Sequence, residues 1–170
     1  MKSATVFLVA LTVSFTLFLE SSTAAVDSTT REAVQVNESV KRFLDKAVSL
    51  NERLATDAIE YVDENILTAK GKAKKSLIQV SVWLKLALEV VQVLHFEMNV
   101  ALNSGSSVAL EIVSTQLSVS LAAIKAQWPP LRESLPNGEV KEELNKRANI
   151  IFANSDVIDA ALKGVSCSAK

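Results

Sequence analysis

"LIQVSVWLKLALEVVQVLHFEMNVAL", residues 77–102, is the stretch on which the fold turns. It runs for 26 residues, of which roughly two thirds are apolar. A membrane span would place Lys85 and Glu89 near mid-bilayer, where a lysine or aspartate costs about 3 kcal/mol, and Gln92, His95, Glu97 and Asn99 would add to that. A strand has some support in alternation, since Gln79, Ser81, Lys85, Glu89, Glu97 and Asn99 all occupy odd positions. Strands usually run about 3–10 residues, however, and nothing interrupts this segment. Plotted at about 100° per residue, Ser81, Lys85, Glu89, Gln92, His95 and Asn99 gather on one arc of about 120°, leaving only Gln79 and Glu97 outside it. The stretch therefore reads as a helix with one polar ribbon. A helix apolar around the rest of its circumference is expected at the centre of a fold, touched by neighbours on most sides.

Working outward, the glycines and prolines mark the boundaries. Gly71, Gly105, Gly138 and Gly164 fall between or after long periodic segments, and Pro129, Pro130 and Pro136 crowd into "WPPLRESLPNG". Glycine is enriched just past helix ends and proline cannot continue a helix, so four helical segments are predicted: 29–69, 73–103, 107–128 and 138–163. Thr29 with Glu32 makes a capping box for the first, whose apolar row is Val36, Val40, Phe43, Ala47, Leu50, Leu54, Ala58 and Tyr61. At 1.5 Å per residue that helix would reach about 60 Å and overhang the others. A break near Ala55–Asp57 is therefore expected, with Asp57 and Glu60 as a second capping box. In the last segment Glu139, Glu142 and Glu143 suit the N-terminal dipole, and Val140, Leu144, Ile151, Ile158 and Leu162 form the apolar row. "ANSDV", 153–157, is a candidate interruption, because such side chains compete for backbone hydrogen bonds.

The third segment has only Glu111 and Lys125 as ionic residues, so 77–128 is an unusually apolar hairpin between two charged arms. The expected fold is all-α: a four- or five-helix antiparallel bundle in which the arms wrap a central apolar helical hairpin.

The chain's start has the form of a targeting segment. Met1-Lys2 is followed by an apolar run from Ala4 to Leu19 and then by "ESSTAA", with small residues at the cleavage positions. Residues 1–24 are read as a cleaved signal peptide, a cut after Ala25 serving almost as well, and 25–170 as a single domain that is secreted and extracellular. With 18 Lys and Arg against 19 Asp and Glu, the net charge of −1 lacks the basic excess a nucleic-acid partner demands. No transmembrane span is expected in the mature chain. One cysteine, Cys167, rules out an internal disulfide framework and leaves an intermolecular bridge, a Cys167-linked homodimer, or an incidental thiol.

Catalytic signatures are missing from the sequence. It has no Gly-rich phosphate loop, no G-x-S-x-G elbow, no H-E-x-x-H, and one histidine, His95, with no second histidine or nearby cysteine to share a metal. The expectation is a protein without enzyme activity or cofactor, acting by protein–protein interaction in the extracellular space. The alternatives are a carrier or surface binder of lipid or small hydrophobic ligands, and a membrane-inserting helical hairpin. For a carrier the candidate lining is Val82, Trp83, Leu86, Val90, Leu94, Leu110, Leu117, Leu121 and Trp128, the tryptophans acting as gates. Lys70, Lys72, Lys74 and Lys75 in "KGKAKK" are candidates for an anionic surface, weighed against a solvated linker. Asn37 heads the sequon Asn37-Glu38-Ser39, a glycosylation candidate in a secreted chain.

Overall fold

The computed structural model describes residues 36–168, which form four helices and, among the described residues, no strand. The expected signal peptide 1–24 and the Thr29–Glu32 capping box lie outside the described residues. The helices are α1 (Glu38–Thr68), α2 (Gly71–Ser104), α3 (Ser107–Ser134) and α4 (Glu139–Ser168). They contain 31, 34, 28 and 30 residues, so each is roughly 45 Å long and none greatly overhangs its neighbours.

Local chemistry sets most boundaries. Asn37 caps α1, its side-chain carbonyl accepting from the Ser39 N–H at 2.8 Å. Ser106 caps α3 by accepting from the Ala109 N–H. Between them Gly105 terminates α2 in the left-handed region at φ 65°, a conformation that costs other residues a Cβ clash.

Three sequence expectations about continuity are overturned. The break near Ala55–Asp57 does not occur; with Asn37 capping it, α1 already matches α2 in length, and Ala55, Ala58 and Ile59 stay buried along one row. The third helix does not stop at Trp128 but runs through Pro129 and Pro130 to Ser134. Proline in a helix interior costs about 3 kcal/mol, and here packing on both sides of the pair offsets it. Trp128 and Leu135 are buried, and Ser76 Oγ donates to the Ser134 carbonyl at 2.8 Å. The "ANSDV" stretch does not interrupt α4, because its polar groups are engaged elsewhere. Asn154 donates to the Ala47 carbonyl of α1, Asp156 pairs with Lys125 of α3, and Ser155 Oγ donates back to Ile151 O one turn earlier.

Each helix packs against its neighbours around a ring, α1 on α2, α2 on α3, α3 on α4 and α4 on α1, and adjacent helices run in opposite directions. The cross-helix bonds show the direction: Asp63 to Ser81 and Glu52 to His95 between α1 and α2, Ser118 to Asp159 and Trp128 to Asn145 between α3 and α4. The apolar hairpin is thus not wrapped by charged arms. It occupies two adjacent corners of a four-membered ring, and its outward side faces solvent. The core between the four helices is built from Leu44 and Val62, Val80 and Met98, Leu110 and Val113, and Leu144 and Leu162.

Truncating a fully buried leucine to alanine leaves a cavity as well as losing its transfer free energy. Leu110→Ala and Leu162→Ala are each expected to lower the unfolding free energy by about 2–5 kcal/mol. Leu67→Ala, at a position 81% exposed, is expected to change it by less than about 0.5 kcal/mol. Equilibrium urea unfolding of the three variants checks both.

Candidate functional site

Part of the polar ribbon read from the sequence, Ser81, Lys85 and His95, forms the seam where α2 meets α1, while Glu89 and Gln92 are exposed. Ser81 Oγ donates to Asp63 at 2.6 Å and Lys85 Nζ to the other oxygen of that carboxylate at 2.9 Å. The Ser81 hydroxyl, and then Lys85, hold the Asp63 carboxyl below its ordinary range. His95 sits between two carboxylates of α1, Nδ1 2.9 Å from Glu52 and Nε2 3.1 Å from Asp45. An imidazole with both nitrogens protonated donates to each. This seam clamps two helices together. Its groups are paired with one another across the two helices.

Among the described residues, the two voids between the helices are small; at about 20 and 40 Å³ they flank Asn51 and Ser155, space for a water or two against the roughly 300–1,000 Å³ that small-molecule sites occupy. Asn51 Nδ2 donates to Ser155 Oγ at 2.9 Å, while Asn51 Oδ1 and Trp83 Nε1 are buried without a partner. Of the residues expected to line a ligand cavity, Trp83, Val90, Leu94, Leu110, Leu117, Leu121 and Trp128 are buried in the core. Trp83 and Trp128 stack at 5.4 Å between ring centroids, a cross-link between α2 and α3 at the place expected for a gate. Val82 and Leu86 lie elsewhere, on the outward side of α2, Val82 exposed and Leu86 half-buried.

That outward side is where the unusual surface lies. Ile78, Val82, Val93, Phe96 and Val100 are all exposed, Phe96 by 71%. At about 100° per residue they fall, with Leu86, on one arc of about 80° on which Glu89 is the only charge before Lys75 at its N-terminal end. The outward arc of α3 continues the character, with Val119 64% exposed, Val108 and Ile112 half-buried, and Ala123, Ala126 and Pro130 exposed or partly so. Both helices are long and apolar enough to cross a membrane, yet the bundle buries only 39% and 33% of their most apolar windows. The turn between them is neutral too, since residues 98–110 carry no charge. Soluble proteins seldom expose contiguous apolar surface of this kind unless it meets a partner.

Beside this face, one turn from Val93, stands Glu97, 8% exposed and, among the described residues, with no hydrogen-bond or ion-pair partner. Burial pushes its carboxyl above the ordinary range. Lys70, Lys72, Lys74 and Lys75 are all exposed at the N-terminal end of α2. Asn37 is exposed at the start of α1 and Cys167 is exposed near the end of α4 with a free thiol. Among the described residues no group of three His, Cys, Asp or Glu side chains converges as a metal site would.

Sequence reasoning missed Ile78, Val93, Phe96, Val100, Val119 and Glu97. The signal is present, as an apolar arc beside the polar ribbon, but periodicity alone reads such an arc as core. No protein family, characterised protein or solved structure matches the chain.

Glu97 yields a test with a definite sign. Its folded-state pKa lies above the unfolded value, so its contribution is full below the unfolded carboxylate's titration and is lost as pH rises through the folded one. Glu97→Gln is therefore expected to melt higher than wild type at neutral pH and to match it in acid. Thermal denaturation followed by circular dichroism across that range is the measurement.

Proposed function

We propose that this protein is a secreted, non-catalytic binder that works by laying the outer face of its α2–α3 hairpin against an apolar surface. The observation that carries the reading is the exposed arc from Ile78 to Val100, placed by the ring on the solvent side of the most apolar helix in the bundle. Burying apolar surface gains about 25 cal/mol per Å², so a face of valines, isoleucine and phenylalanine has a standing drive toward any apolar contact. Voids of about 20 and 40 Å³ argue against a carrier that encloses its cargo, and the converging groups of the α1–α2 seam are already paired with one another. Attachment from outside uses what the fold leaves open.

One spacing favours a second reading. Val82, Leu86, Glu89, Val93, Phe96 and Val100 follow one another at alternating steps of four and three residues. A helix of another protein packs against such a row in coiled-coil fashion.

Interfacial tension at an oil–water drop tests the main reading without assuming a particular ligand. The wild-type protein is expected to adsorb and lower the tension several-fold faster than a Val93→Glu/Phe96→Glu double variant. Leu67→Glu, a charge placed at an exposed apolar position on α1, is expected to adsorb as wild type does. Both variants should melt within a few degrees of wild type, because the substituted side chains are largely outside the core. Equal adsorption by the double variant and wild type would show that the hairpin face is not the working surface.

A further inference from the structure

Four lysines stand where the apolar face of α2 begins. Lys75 lies on the same arc as Val93, five turns earlier, and Lys72 and Lys74 lie to either side of it. With Lys70 just ahead of the helix, the four side chains stand at the surface. Among the described residues none of them has a carboxylate within ion-pair distance, as is true of the isolated Lys46 and Lys146, whereas Lys41, Lys85, Lys125, Lys141 and Lys163 each have one; what sets the four apart is that they lie together. Four unpaired cations at the end of a long apolar arc are complementary to a surface that is apolar within and negatively charged at its boundary.

The geometry points to an anionic phospholipid surface as the partner of the α2–α3 face, with the apolar arc resting in the boundary layer of the acyl chains and Lys70, Lys72, Lys74 and Lys75 held at the headgroup phosphates. The inference rests on reading that face as the working surface and names what it meets. An amphipathic helix that lies in an interface buries its apolar side about 5–10 Å deep, and Phe96, Val93 and Val100 already present such a side on the surface, so the bundle need not open. Phe96, 71% exposed, is the largest apolar anchor on the face. The neutral turn at 98–110 lets the far end of the hairpin approach as closely as the lysine end.

A second copy of the chain fits the same face less well. The arc from Ile78 to Val100 has Glu89 at its midpoint, so two copies packed antiparallel through it would bring two Glu89 carboxylates together in an interface emptied of water. Like charges placed so are unfavourable. Against a bilayer Glu89 meets no second carboxylate, and its neighbours on the arc are free to settle around it.

The test uses protein purified from the medium of eukaryotic cells expressing the full chain. Binding is read by co-sedimentation with vesicles of phosphatidylcholine alone and of phosphatidylcholine with one third phosphatidylserine. Each lysine near an anionic surface is worth about a fivefold change in partition, so replacing all four with glutamine should weaken binding to the phosphatidylserine vesicles at least about a hundredfold. Raised salt should weaken wild-type binding in the same direction, and Glu89→Gln should strengthen it. Equal binding to the two kinds of vesicle, or a four-lysine variant that binds as wild type does, would overturn the headgroup assignment while leaving the apolar face intact if the oil-drop result stands. Vesicles left unbound beside a Phe96-dependent dimer in sedimentation velocity would give the face to a second copy instead. Should neither vesicles nor oil attract the protein, both this inference and the reading under it fall.

Discussion

A helix in a four-membered ring can bury only the part of its circumference that its two neighbours and the shared core cover. The remainder meets solvent whatever residues it carries. Ordinary bundles place their charged residues on that remainder. Here α1 and α4 do so, but α2 and α3 have too few charges, and α2 concentrates its polar groups elsewhere. Ser81, Lys85 and His95 are turned toward α1, where Asp63, Glu52 and Asp45 receive them. With most of the charged part of its ribbon committed to a seam, the outward side of α2 is left to Ile78, Val82, Val93, Phe96 and Val100, with Glu89 the one charge among them. The exposed face and the internal clamp are thus two consequences of one arrangement.

The seams differ in what holds them. Between α1 and α2 the bonds to Asp63, Glu52 and Asp45 are polar and partly solvated, with Lys85–Asp63 an ion pair of a kind that contributes modestly to stability. Between α1 and α4 the Asn51–Ser155 bond is buried at 2.9 Å, and Asn154 reaches the Ala47 carbonyl. Between α2 and α3 the contact includes stacked Trp83 and Trp128. A partner that attaches from outside requires none of these to open, which separates surface binding from a mechanism in which the bundle comes apart.

Much of the fold was legible in the residues. The helix period of 77–102, the boundaries at Gly71 and Gly105, and the apolar row of the last helix all follow from local sterics and periodicity. Continuity was less legible wherever a local rule met a tertiary contact. Pro129 and Pro130 should end a helix, and Ser76 bonding to Ser134 O beside buried Leu135 carries it onward. "ANSDV" should interrupt one, and Ala47, Lys125 and Ile151 give its polar atoms partners that leave the helix intact.

The candidate face shows the same division. By itself the sequence determined that α2 is a helix with one polar ribbon, that a lysine cluster precedes it, and that charge is scarce between Glu97 and Lys125. Those properties depend on residue type and spacing along one chain. Which part of the apolar circumference becomes core and which becomes surface depends on where three other helices lie, and periodicity has no information about them. Only the tertiary structure decided that Leu94 and Trp83 face inward while Phe96 and Val82 face out. The reason is geometric: a helix presents about 360° of side chains, and two neighbours and a core cannot cover all of it.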